Sequence, residues 1–303
     1  MRGVVTDAHI ERAFNDGRIL RTHVMRPTWH FVSAGDIRWL LALTARRVHQ
    51  AIAFGRRHLE LTDAIARRAS RVIERSLSRH ECMTRAELGQ SLARAGIVAT
   101  GVRLALITIY AEVEGVICSG PIRGRQHTYM LLEQRAPGAK RYSRDEALAA
   151  LTERYFQSHG PATVRDFVWW SGLTIADARR GLEIARGRAE TVDGLTYWTI
   201  GPRRPTAPAR SVHLLPAYDE YVVAYRDMAA VPRANAFFGL LPPAIVSNGQ
   251  IIGTWNAGTG RAASKLTTAF TRTPSSAERK RLGDQIRRYQ QFAGSAGTPI
   301  DIR

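Results

Sequence analysis

From Met83 onward the hydrophobic positions fall into the order helix, turn, helix, hairpin. Leu88, Leu92 and Ala95 recur at helical spacing behind Thr84 and Glu87, a pair with the spacing of a capping box, and Gly96 closes the run. A second apolar segment, 102–113, ends at Gly115. Two β-like runs follow, 116–118 and 127–132, joined by the basic turn Gly120-Pro-Ile-Arg-Gly-Arg125. That is the order of a winged helix, in which one helix enters a DNA groove and the hairpin touches the backbone. The order then returns in kind. Thr163 and Asp166 frame a short helix ending at Gly172, and Thr174 and Asp177 frame the next. Residues 190–200 then read as a hairpin turning at Asp193-Gly194.

Ahead of these units, residues 7–17 read as a short helix. Residues 21–33 read as extended, because Thr, Val, Trp and Phe alternate and Pro27 does not suit a helix interior. Alternation places His23, Met25, Trp29 and Phe31 on one side and Arg26, Thr28 and His30 on the other. Ser33 and Asp36 have the spacing of a capping box before a helix through Trp39, Leu40, Leu43 and Val48. A helix over 62–79 has Ile65, Ala69, Val72 and Ile73 inward and Arg67, Arg68, Arg71 and Arg75 along its other side. Ser143 and Glu146 open a further helix over 145–158.

Beyond an extended linker at 201–208, residues 213–228 and 243–258 read as short strands with a tight turn at Asn248-Gly249, and residues 277–293 as a polar helix. The fold class expected is α+β: tandem winged-helix modules followed by a β-rich C-terminal domain. The boundaries expected are an incomplete first module at 1–80, a second with the basic hairpin at 81–140, a third at 141–202, and the C-terminal domain at 210–303.

Composition changes the picture in one respect. Hydrophobic residues make up 45% and charged residues 23%, as in ordinary globular chains, but 44 Lys and Arg face 26 Asp and Glu, a formal charge of +18. Polyanions are the first partners such a surface suggests. No apolar run approaches the roughly 18 residues of a membrane span, and the N-terminus has no signal-like apolar core. Two cysteines, Cys82 and Cys118, are too few for a disulfide framework, and no histidine pair has metal-ligand spacing. A cytoplasmic, nucleoid-associated protein without a metal is the expectation.

Five segments, 21–32, 115–132, 160–174, 214–227 and 248–255, resemble the AlkZ/YcaQ-like winged-helix DNA glycosylases, in the family's order. The resemblance implies winged-helix modules and a β-rich domain that together hold damaged duplex DNA. It also implies release of N-alkylated or crosslinked purines without a metal or organic cofactor. Family members carry Gln-x-Gln or Gln-x-Asp upstream of the segment matching residues 7–32; this chain has neither, and its first glutamine is Gln50. The expectation is a first module short of its opening helical pair, either through a start assigned too far downstream or through natural shortening. The family's catalytic motif therefore has no position to carry over to.

N-glycosidic hydrolysis needs a polar group that positions water or stabilises the sugar cation, and a way to lift the base from its stack. Thr28 and His30, with Arg26 beside them, are one candidate pair, against the alternative that His30 bonds a neighbouring backbone group. Asp219, next to Glu220, is a second candidate, against a structural ion pair. For DNA contact the candidates are Arg26, Arg123, Arg125 and His127, with Arg179 and Arg180 on the helix that would enter a groove. Trp169, Trp170 and Trp255 read as core. Two functions fit: an excising glycosylase, and a winged-helix DNA-binding protein without excision activity.

Overall fold

The computed structural model describes residues 5–202, 211–226, 242–257 and 266–294, and is mixed helix and strand. Local signals set most helix starts. At α4 (Arg85–Arg94), α7 (Arg144–His159), α8 (Val164–Ser171) and α9 (Ile175–Ile184) the capping side chain and the acid three residues on bond each other's backbone amides reciprocally. Helix α3 (Asp63–Leu77) is capped by Thr62, which accepts from the Ile65 amide.

Helix α2 (Ile37–His58) departs from the expected box. Its N-cap is Asp36, which makes no side-chain cap bond. The Asp36 carboxylate instead accepts from Ser33 Oγ at 2.6 Å, Trp39 Nε1 at 2.9 Å and both terminal nitrogens of Arg154 at 3.0 Å. Tertiary demand from α7 has overridden the local cap. Burial pushes this carboxyl up, but the bonds from Arg154, Ser33 and Trp39 outweigh it and hold it at about 2. Its contribution to stability is therefore complete above the ordinary carboxylate range and lost as the pH falls towards 2. Asp36→Asn is expected to cost about 1–2 kcal/mol at neutral pH. Urea titrations should show that difference shrinking as the pH drops below about 4; a gap that persisted in acid would sink the assignment.

Residues Glu11–Ile200 form one compact unit, and the described residues before Glu11 and from Gly201 onward belong to a second. Helix α1 (Asp7–Asn15), whose residues from Glu11 on fall in the first unit, leads to the antiparallel hairpin of β1 (Ile19–His23) and β2 (Trp29–Ser33), then to α2 and α3. Strand β3 (Met83–Thr84), helices α4 and α5 (Gly101–Val113) and strands β4 (Ile117–Ser119) and β5 (Thr128–Leu131) follow in winged-helix order, with sheet order β3-β5-β4. One core runs through them, with Ile73, Leu77, Leu88, Leu92, Ile107 and Ile117 buried. Short α6 (Leu132–Arg135) leads to α7, α8 and α9 and to the hairpin β6 (Arg188–Val192) and β7 (Leu195–Thr199). That hairpin turns, as its sequence predicts, at Asp193 (φ 51°) and Gly194 (φ 76°).

Helix α5 is largely enclosed. It packs against α2, α3, β1 and β4, and the residues on it that are fully exposed are Gly101 and Val102, at its first turn. Its apolar residues, from Leu104 to Val113, are the reason: they have no polar face to present.

In the second unit, β8 (Val212–Leu215), β9 (Ala244–Ser247), β10 (Gln250–Ala257) and β11 (Leu266–Phe270) pair antiparallel in the order β11-β10-β9-β8. The turn at Asn248 (φ 51°) and Gly249 (φ 78°) is the one expected. The run at 213–228 is not all strand, because Asp219 caps the short helix α10 (Glu220–Val223). Helix α11 (Ser276–Phe292) closes the sheet with Leu282 and Ile286. The linker at 201–208 lies outside the described residues from 203 on.

Candidate nucleic-acid interface

The β1–β2 register pairs Arg21 with Phe31 and His23 with Trp29, so these four side chains share one face of the hairpin. Leu20, Thr22, His30 and Val32 lie on the other. Strand β1 is the inner strand, against α5 and β4, and its Arg21 and His23 are buried. Strand β2 is outer, and Trp29 and Phe31 stand 49% and 69% exposed. The Arg21 guanidinium stacks over the Trp29 ring, 4.0 Å from its centroid.

Behind this face lies a buried pair. His23 Nδ1 and Glu112 Oε2, near the end of α5, share a hydrogen bond with side chains 7% and 1% exposed. Burial pushes the Glu112 carboxyl up, opposed by the His23 bond and the Arg21 charge. The Arg21 backbone amide donates to Ser119 Oγ at 2.8 Å, fixing β1 to β4. Burial pushes the Arg21 guanidinium down, with Tyr129 and Glu112 opposing.

The basic turn between β4 and β5 meets the same face. Ile122 N donates to Asn15 Oδ1 at 2.8 Å, and Arg123 and Gln126 exchange backbone bonds at 2.9 and 3.1 Å around Gly124 (φ 64°). The buried Phe14 ring stands edge-on to both Phe31, at 6.1 Å, and His127, at 6.0 Å. Desolvation, then the Arg21 charge, pushes the His127 imidazole down, so it is neutral at pH 7. Trp29, Phe31 and His127, from segments about a hundred residues apart in sequence, thus belong to one surface.

Of the residues named from sequence, Arg26 and Thr28 lie in the bend between β1 and β2, not on a strand. The shared strand face of Arg26, Thr28 and His30 does not form. Pro27 and the left-handed Met25 (φ 60°) turn the chain there. His30 Nδ1 bonds the Thr28 carbonyl at 2.9 Å. Arg123 is held by both oxygens of Glu87, at 2.6 and 2.5 Å. The Thr84 amide, and then Arg123, keep the Glu87 carboxyl below the usual range.

Arg125 is exposed and makes no ion pair among the described residues. Arg180 pairs with Asp145 at 2.8 Å and Glu183 at 3.2 Å, while its neighbour Arg179 is exposed. Asp219 belongs to the second unit, where its carboxylate accepts the Tyr221 amide at 2.9 Å as a helix cap. Trp170 packs on Tyr155 and Phe167 as expected of core, but Trp169 is exposed.

The arginine face of α3 gains partners that sequence spacing does not reveal. A cavity of about 520 Å³ between α3, β3 and α4 is lined by Arg75, Arg79, His80, Arg94 and Arg123, with Glu87 the acid among them. Converging guanidinium groups of this kind suit phosphate oxygens.

The model of the family described as DNA glycosylase AlkZ-like matches residues 2–292 of the chain. A curated relative from Streptomyces sahachiroi, described as an interstrand DNA cross-link repair glycosylase, is 27% identical over 46% of this chain and 43% of its own length. The chain's match therefore spans less than half of that relative. A solved structure, the Streptomyces sahachiroi DNA glycosylase AlkZ, superposes with a TM-score of 0.77 at 19% identity, covering 97% of this chain and 84% of that one. The fold is shared with that structure.

Proposed function

Because the chain belongs to the AlkZ-like DNA glycosylase family, we propose that it binds duplex DNA and releases a damaged purine by N-glycosidic hydrolysis. The family match over residues 2–292 carries this reading. The charge of +18 and the arginine-lined cavity support the DNA-binding half. An N7-alkylated purine is positively charged while attached and departs as a neutral base once it takes the bonding pair, so modest polar assistance to the developing sugar cation suffices for its release. Thr28, His30 and Asp219 remain the groups to replace first. In this reading residues 1–80, 81–140 and 141–202 are successive modules on the duplex, and 210–303 is a β-rich domain. The protein acts in the cytoplasm, on the nucleoid.

A second reading is DNA binding without excision, which the charge of +18 and the arginine-lined cavity support equally. Single-turnover excision from a duplex carrying one N7-methylguanine, scored by alkaline cleavage at the abasic product, separates the two. Release above the spontaneous rate supports the glycosylase. Binding with no release supports the second reading.

Affinity for duplex DNA should fall steeply with salt, as Lys and Arg displace counterions. Arg125→Ala is expected to reduce the slope of log K against log salt by about one. Arg123→Ala should change it less, because Glu87 already neutralises that guanidinium. Equal slope changes for the two variants would show that the Glu87 pair opens on binding.

A further inference from the structure

We propose that Trp29 and Phe31 form a stacking platform for a nucleobase that has left the DNA stack, with His127 at its edge. The proposal rests on the DNA-binding reading above and names the surface that meets the base.

Four observations carry it. First, the two largest side chains of β2 point outward rather than into the core, at 49% and 69% exposure, although β-branched or polar residues would serve an outer strand at lower cost. Second, they stand two residues apart on one face, so their rings are neighbours along a strand, the arrangement with which sheet surfaces stack successive bases. Third, both rings are held in place before any ligand arrives. Arg21 lies over Trp29 at 4.0 Å, and Phe14 meets Phe31 edge-on at 6.1 Å. Little side-chain entropy is then lost on stacking. Fourth, the surroundings suit a nucleic acid. Arg125 is exposed on the turn that carries His127, and His127, neutral at pH 7, has one ring nitrogen to donate and one to accept from a base edge.

The alternative occupant, a second copy of the chain, fits less well. At these exposures the two rings offer roughly 250 Å², against about 800 Å² per partner in a stable interface. The basic groups beside them would also repel their own kind.

Phe31→Ala is the cleanest variant, since its ring is largely exposed and meets Phe14 edge-on. The double variant with Trp29→Leu completes the test. Each is measured on a duplex carrying 5-iodouracil opposite an abasic site, a base free to leave the helix. Wild-type protein is expected to photocrosslink through residues 28–33. Phe31→Ala should lose most of that crosslink and bind roughly tenfold more weakly, with its salt slope unchanged because no phosphate contact is lost. Phe31→Trp should restore both.

Wild-type affinity and crosslinking in Phe31→Ala would overturn the platform while leaving DNA binding intact. Crosslinks mapping outside 28–33 would do the same. If the wild-type protein binds no DNA at low salt, the DNA-binding reading itself fails and the platform with it. A change from dimer to monomer in the double variant would assign the surface to self-association instead. An unchanged thermal midpoint in Phe31→Ala guards against loss of fold.

Discussion

Replacing His23 by alanine is expected to destabilise the Glu11–Ile200 unit by about 3–5 kcal/mol. The effect is large because of what remains rather than what is removed. Glu112 is 1% exposed, and with His23 gone its carboxylate keeps the Arg21 charge nearby but loses the hydrogen bond that offsets its burial. A buried acid so placed either stays ionised at high cost or takes up a proton. The pair also joins β1 to α5, elements 89 positions apart at these residues, so its loss frees the inner strand of the hairpin. Urea unfolding at pH 7 measures the cost. The double variant His23→Leu with Glu112→Leu should recover most of it, because two apolar groups of similar volume remove both the bond and the unmet charge. A His23→Ala cost below about 1 kcal/mol would mean that water reaches Glu112 in place of the ring.

The same pair marks the boundary of what the sequence makes legible. Alternation along 21–33 correctly places His23, Trp29 and Phe31 together, because strand geometry is local and its period is two. The reciprocal caps at Thr84, Ser143, Thr163 and Thr174 are legible for the same reason: donor and acceptor lie three residues apart. So are the turns at Asp193-Gly194 and Asn248-Gly249, where φ above zero selects the residue type.

Alternation fails at Met25, Arg26 and Thr28, since one proline and one left-handed residue are enough to turn a strand into a bend. The cap at Ser33 and Asp36 fails because Arg154, 118 residues away, claims the carboxylate. Arg21 and Glu112 were not candidates at all. An arginine in an extended run and a glutamate near the end of an apolar helix each look like solvent-facing residues until the fold buries both in one place. The cavity beside α3 follows the same rule: the helix face is readable, but Arg94 and Arg123 join it through tertiary structure.

Acid should loosen the C-terminal unit through one carboxylate. Glu278, in the first turn of α11, accepts from Arg272 at 2.6 and 3.0 Å, from Ser247 Oγ on β9 at 2.7 Å, and from the Ser275 amide at 2.8 Å and hydroxyl at 3.0 Å. Arg272, then Ser247, then the Ser275 amide hold its carboxyl well below the usual range. The sign follows directly. A depressed folded pKa means that the unfolded chain takes up the proton first, so this group's stabilisation is complete above about pH 4.3 and drains away as the pH falls further. Glu278→Gln is expected to cost about 2 kcal/mol at pH 7, because an amide cannot satisfy all these donors at once. Hydrogen exchange in α11, corrected for intrinsic rates, reads the effect locally. Protection in the variant should drop at pH 7, and the two proteins should converge as acid protonates the wild-type carboxylate. A gap that stayed constant with pH would mean that shape, not charge, is what Glu278 contributes. The helix would then be held on the sheet by the apolar packing of Leu282, Ile286 and Tyr289, and the acid response would have to come from elsewhere.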